Sequence, residues 1–191
     1  MTIILLFNML LGNNIIFSDY QPENKELSEA HSHKNKQESV FISEYQYLQG
    51  YEETIKYIKL KEGFEAKPYI DAAGIRTIGY GHIIMENESF PNAISEKQAE
   101  KILIKDFQKA IKAVERETEL SGYKKLAISH FVYMMGIGNF NKSNLKKLIS
   151  DRKPIEKDLL KWSYYRNRSG KMVKSNYSYK IRQWEADLYK R

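Results

Sequence analysis

The chain has 191 residues, with 31 Lys and Arg against 24 Asp and Glu, a formal charge of +7, and no cysteine. That length admits one ordinary domain with an extra segment and excludes a large multidomain assembly. Hydrophobic residues at 42% and aromatics at 13% supply a core and exclude global disorder, while the missing cysteines exclude a disulfide scaffold and any thiolate-held metal centre, though not export.

The charge is unevenly placed. Residues 1–45 hold three Lys and six acids, residues 46–140 hold 13 basic and 13 acidic side chains, and residues 141–191 hold 15 basic and 5 acidic. The basic character therefore belongs to the C-terminal part, which suits an anionic polymer or surface as partner.

The first 17 residues, MTIILLFNMLLGNNIIF, form an apolar run broken by Asn8, Asn13 and Asn14. It is shorter than the ~20 residues of a membrane-spanning helix. Residues 1–18 read as a secretory signal with cleavage near Ser18, or as a retained signal-anchor; no Lys or Arg precedes the run. Residues 19–45 are polar and read as a flexible tether. His31 and His33 within it read as solvated side chains, without the rigid frame a metal site needs.

Structured sequence is expected from near Ser43, and the domain from residue 46 to 191. Tyr51, Ile55, Ile58 and Glu62 recur at helical spacing up to Gly63, a natural C-cap. Residues 66–84, AKPYIDAAGIRTIGYGHII, change to short apolar pieces separated by Asp71 and glycines. These predict a small β-meander with a turn over Asp71–Gly74. Ser95 with Gln98 three residues on is a capping box, and an apolar stripe follows to about Glu117. Residues 126–135 predict a buried central helix, with shorter helices at 143–149, 154–163 and about 178–189. The whole beyond the meander is expected to be helical, giving an α+β fold in two lobes, a small sheet lobe and a mostly helical one.

Glu62, Asp71 and Thr77 can be held around one cleft by a helix end feeding a hairpin. Two separated carboxyls suit glycosidic bond cleavage: one, kept protonated by an apolar setting, gives a proton to the leaving oxygen, and the other attacks or activates water. Read singly, Glu62 is a solvated helix-end acid and Asp71 a turn former; the density of marked residues around them, ten within 21 positions, favours the site.

The pattern E-G-x5-Y-x-D-x2-G-x2-T-I-G-x-G-H, from Glu62 to His82, resembles the signature of phage-type lysozymes, the endolysin muramidases of glycoside hydrolase family 24. A weaker resemblance continues through Ile94-Ser95, Asp106 and residues 127–148 to Arg182-x-x-Glu185, so that it covers about residues 46–191. The resemblance implies hydrolysis of the β-1,4 bond between N-acetylmuramic acid and N-acetylglucosamine in bacterial peptidoglycan, with inversion and no cofactor or metal. It implies Glu62 as the general acid, with Asp71 and Thr77 placing the attacking water. It also implies a structural ion pair between His82 and Asp106, and a sugar-binding groove bordered by Tyr69, Ile83, Tyr133 and Ser143. Packing alone accounts equally well for Ile83 and Tyr133.

The chain departs from the family at Met134, where a polar Asn or Gln is usual. It departs again at SNYSYKIRQWE, where Gly-Leu and paired arginines are usual and Lys180 and Arg182 are the nearest matches. The short segment between His82 and Ile94 predicts a small sheet lobe. A lytic transglycosylase, which needs only the acid, and a non-catalytic wall-binding protein are the alternatives. The expectation is an exported, periplasmic or secreted monomer that binds anionic wall polymers through residues 141–191 and has no specific nucleic-acid partner.

Overall fold

A computed structural model describes the backbone of residues 24–71, 74–167 and 169–191, and side chains from residue 36 onward except 37 and those outside the described backbone. The expected signal and its cleavage point lie outside the described residues, as do the side chains of His31 and His33. The chain divides between Phe41 and Ile42, and Ile42–Arg191 form one compact unit.

Helix α1 runs from Asn24 to Glu62. It begins within the segment expected to be a flexible tether and well before Ser43, so that expectation is corrected for residues 24–45. Between Asn24 and Gln49 there is no Gly or Pro, and Glu, Lys, Ala, Gln and Leu are strong helix formers. Side chains 38–46 of this stretch are exposed, so propensity rather than packing accounts for the helix there.

Packing takes over at Gly50, which is buried. A β-carbon there would lie 2.5 Å from the Tyr123 ring and 2.9 Å from Leu126 Cδ1. The glycine thus lets helix backbone come close to α3, which spans Gly122–Met135. Ile55 and Ile58, one turn further, enter a core with Tyr80, Leu103, Phe107, Leu126 and Leu188.

Three strands follow α1: β1 (Glu65–Ile70), β2 (Arg76–Gly79) and β3 (His82–Ile83), antiparallel in the order β1-β2-β3. Pro68 lies in the edge strand β1, where a missing N–H is tolerated, and the β1–β2 register is irregular between Glu65 and Tyr69. Tyr69 pairs with Thr77, and Thr77 with Ile83. Directly opposed residues share a face, so Tyr69, Thr77 and Ile83 form one row across the sheet.

Helix α2 (Glu96–Glu117) starts at Ser95 with the complete capping box: Ser95 Oγ accepts from Gln98 N and the Gln98 side chain accepts from Ser95 N. Its stripe Ala99, Leu103, Phe107, Ala110, Ile111 and Val114 is buried. Residues 126–132 of α3 are buried all round, the central helix anticipated from sequence. Then come α4 (Ile137–Lys142), α5 (Asn144–Ser150) and α6 (Glu156–Lys161), and α7 (Asn176–Lys190) closes the fold.

Between α6 and α7 the chain is not helical, which corrects the all-helical expectation. Strands β4 (Tyr164–Arg166) and β5 (Met172–Lys174) form an antiparallel hairpin. Tyr and Val favour strands, and Gly170 at φ +78° closes the turn, with Asn167 Oδ1 accepting from the Ser169 and Lys171 backbone N–H groups. Among the described residues no helix is long and apolar enough to cross a membrane.

Candidate active site

Glu62 is the last residue of α1. Gly63, at φ +70°, ends the helix by donating its N–H to the Lys59 carbonyl at 3.2 Å, the left-handed stop that glycine permits. Helix ends leave carbonyls without intrahelical partners, and Lys61 O receives the Tyr177 hydroxyl at 2.8 Å. The backbone after Glu62 is therefore held by a last i→i−4 bond, and the backbone before it by a contact from α7.

Burial raises the Glu62 carboxyl above the usual carboxylate range, because taking charge out of water disfavours the ionised form. Gly81 is part of that cover. It sits at φ +85°, and a β-carbon on it would stand 3.3 Å from Glu62 Oε2. Three tyrosines feel the Glu62 charge: Tyr133, Tyr177 and Tyr69 all have hydroxyls raised first by burial and then by Glu62. Tyr69 also feels Asp71, so the structure brings Tyr69 within the field of both carboxylates.

Asp71 is held by its own turn. Its Oδ1 accepts from Ile75 N at 2.8 Å, its N–H donates to Ile75 O at 2.9 Å, and its carbonyl accepts from Gly74 N at 3.0 Å. Short acidic side chains stabilise turns in this way. Thr77 lies in the middle strand with 3% of its surface exposed, and its hydroxyl donates to Ile75 O at 3.1 Å. The oxygen retains acceptor capacity. Beside it on the same face, Tyr69 and Ile83 are 36% and 50% exposed, so the row has one enclosed hydroxyl flanked by two open apolar surfaces.

Tyr133 is drawn inward. Its hydroxyl donates to Tyr80 O at 3.1 Å and its ring packs edge-on against Phe107. Ser143 caps α5: Oγ accepts from Lys146 N at 3.4 Å and donates to Phe140 O at 2.6 Å. Both side chains thus serve local structure as they stand.

His82 Nδ1 lies 2.6 Å from Asp106 Oδ2, joining the sheet to α2. A second carboxylate, Glu88, sits 2.9 Å from Nε2, a contact the sequence reading missed. Glu88 also accepts from Met85 N at 3.0 Å. That bond and the His82 contact, in that order, hold its carboxyl below the ordinary range. The imidazole is clamped from both sides, and the loop after β3 is tied to it.

Arg182, the nearest sequence match to a cationic partner for the site, turns elsewhere. It is 2% exposed, its guanidinium is 3.0 Å from Glu185 Oε1 and it lies over the Phe131 ring at 5.0 Å. The same Glu185 oxygen is 2.6 Å from His130 Nδ1. This buried cluster braces α3 against α7. The elevated Glu62 carboxyl is accordingly set by burial, with no cation among its causes. Among the described residues no group of three or more His, Asp or Glu side chains is arranged to hold a metal ion.

Comparison with known proteins identifies relatives of this arrangement. The phage lysozyme family model matches residues 59–177, the stretch from the last turn of α1 to the first turn of α7. A SAR-endolysin of bacteriophage PS34 is 30% identical over an alignment of 110 residues that covers 54% of this chain and 64% of that protein, so the chain spans less than two thirds of that relative's length. An endolysin of Acyrthosiphon pisum secondary endosymbiont phage 1 is 32% identical over 116 residues, 59% of this chain and 78% of the relative. Among solved structures, the endolysin from Escherichia coli O157:H7 phage FAHEc1 superposes with a TM-score of 0.62 at 30% identity, over 71% of this chain and 89% of that one. The muramidase domain of SpmX from Asticaccaulis excentricus shares the fold with a TM-score of 0.64 at 19% identity, covering 71% and 93% of the two chains. The family model covers more than half of the chain, residues 59–177, and on that match the chain belongs to the phage lysozyme family.

Proposed function

We propose that the chain is a peptidoglycan hydrolase, a muramidase that cleaves the β-1,4 bond between N-acetylmuramic acid and N-acetylglucosamine with inversion. The observation that carries the reading is the state of Glu62: a carboxyl at a rigid helix end, raised by burial alone, is suited to hold the proton that a leaving glycosidic oxygen needs. Asp71, held in its turn, orients a water, and the Thr77 hydroxyl, whose own proton goes to Ile75 O, accepts from the same water. Water attacks the anomeric carbon from the face opposite the leaving group, the C–O bond breaks as Glu62 gives its proton to the departing oxygen, and Asp71 takes the proton of the water. Inversion calls for carboxyls ~6.5–9.5 Å apart, leaving room for that water. Tyr69 and Ile83 supply apolar surface for the sugar rings.

The substrate lies outside the cytoplasmic membrane, so the reading includes export directed by the apolar residues 1–18. Lys142, Lys147, Arg152, Lys157, Lys171 and Lys180 are exposed and without a carboxylate partner among the described residues. They supply positive charge that anionic wall polymers would meet, and binding to it weakens with salt.

Mass spectrometry of muropeptides released by the parent and by Glu62→Gln tests the reading. Products ending in a reducing sugar from the parent and none from the variant support it. Products ending in 1,6-anhydromuramic acid would mean transglycosylation, and equal release by both proteins would remove Glu62 from the mechanism.

A further inference from the structure

Tyr177 has no counterpart in the residues by which the site was recognised, yet it reaches that site. It lies in the first turn of α7, whose N-cap Ser175 accepts from Ser178 N at 3.1 Å and donates its own N–H to Ser163 O at 2.8 Å. The backbone carrying the tyrosine is therefore pinned at the cap and to the end of α6. At its other end the side chain is pinned by the hydroxyl, which donates to the carbonyl of Lys61, the residue before Glu62. Between these two anchors the residue remains 52% exposed. A ring with a fixed backbone, a fixed hydroxyl and open surface beside an acid has lost its freedom before any ligand arrives, so contact with it carries little further entropic cost.

We propose that Tyr177 is a substrate-contacting residue: a pyranose ring of the glycan strand packs its apolar C–H face on the exposed ring, next to the bond that Glu62 protonates. The inference rests on the muramidase reading and adds to it an aromatic wall on the helical side, facing the sugar together with Tyr69 and Ile83 on the sheet. Its chemistry is that of any carbohydrate ring with an apolar face, apolar area removed from water with the ring hydroxyls left at the edge. The hydroxyl bond to Lys61 holds the ring in place. It is the ring that meets the sugar.

The test compares the full chain with Tyr177→Phe, Tyr177→Ala and Glu62→Gln on soluble glycan strands, recording kcat and KM separately. Tyr177→Ala is expected to raise KM about tenfold with kcat within about threefold, the pattern of lost ground-state and transition-state binding alike. Tyr177→Phe keeps the ring but frees it from Lys61, so KM should rise about threefold, less than in Tyr177→Ala, and an equal rise of KM in the two variants would overturn the ring contact. Titration of the same strands into Glu62→Gln with and without Tyr177→Ala gives the comparison without turnover, and the added substitution should weaken binding by a similar factor. An unchanged KM and affinity on removing the ring overturn the proposal. So does an equal fall of kcat in the Phe and Ala variants at constant KM, since the hydroxyl's hold on the helix end would then be the whole contribution. Two controls keep the levels apart: a parent chain that releases nothing from the strands defeats the hydrolase reading, full activity in Glu62→Gln removes Glu62 from the mechanism, and an inactive Glu62→Gln beside an unaffected Tyr177→Ala defeats only the stacking.

Discussion

Gly81→Ala separates backbone strain from damage to the site. Gly81 has φ +85°, and a β-carbon in that left-handed region costs ~1–2 kcal/mol. The new methyl would also stand 3.3 Å from Glu62 Oε2, 3.8 Å from its Cδ and 3.9 Å from its Cγ. The first of these is tighter than ordinary contact, so the carboxyl must move by a few tenths of an ångström. Gly170→Ala supplies the strain alone: its φ is +78° and nothing lies within 4 Å of the added carbon. Both variants should unfold about 2–8 °C below the parent, as ~1–2 kcal/mol does for a domain of this size. Only Gly81→Ala should lose turnover. A misplacement of ~1 Å costs about a hundredfold, so a shift of a few tenths is expected to cost roughly tenfold in kcat/KM. Thermal unfolding and steady-state kinetics on soluble glycan strands measure the two effects separately. If the two variants keep the same kcat/KM, the claim that Gly81 is needed for the position of Glu62 is refuted.

Burial raises Glu62, so the folded chain binds that proton more tightly than the unfolded one and stability falls as pH rises through the interval between the ordinary and raised values. Glu62→Gln should therefore melt above the parent at pH 7, with the gap closing in acid, below about pH 4; a lower melting temperature at pH 7 contradicts this. Gly50→Ala adds a residue favoured in helices by ~1 kcal/mol, yet its β-carbon would lie 2.5 Å from Tyr123. Overpacking of this kind costs ~1–3 kcal/mol, so the variant should be the less stable in denaturant unfolding, and a gain in stability would refute the close approach of α1 and α3. Glu185→Gln leaves His130 and Arg182, 1% and 2% exposed, without their shared carboxylate. A loss of ~3 kcal/mol or more in unfolding free energy is expected, and a change below ~1 kcal/mol would show that the cluster does not brace α3 against α7.

What could be read from sequence is what local chemistry decides. The Ser95–Gln98 box, the Gly63 stop and the Asp71 turn each depend on residues within four positions of one another, and each is found where the spacing put it. The meander was legible because its period changes at Ala66 and its glycines mark the bends. The helix over 24–45 was missed because its side chains make no apolar stripe; propensity alone carries it. The β4–β5 hairpin was missed because Lys and Arg among its tyrosines read as the polar face of a helix. Contacts across long separations left no local mark. Tyr177 meets Lys61 across 116 residues and His130 meets Glu185 across 55; Glu185 stands in a recognised motif, but nothing in the sequence names the partner in either pair. Arg182 shows the converse: its position in a recognised motif suggested a partner for the site carboxylates, and burial beside Glu185 gives it another.

The stereochemistry of the newly formed reducing end is the most direct test of the proposed mechanism. Proton NMR of muropeptides recorded within the first turnovers, before anomers equilibrate, distinguishes the outcomes. Water placed by Asp71 and Thr77 opposite a leaving group protonated by Glu62 predicts the α-anomer of N-acetylmuramic acid as the first product. Initial appearance of the β-anomer, or of 1,6-anhydromuramic ends, would contradict the account.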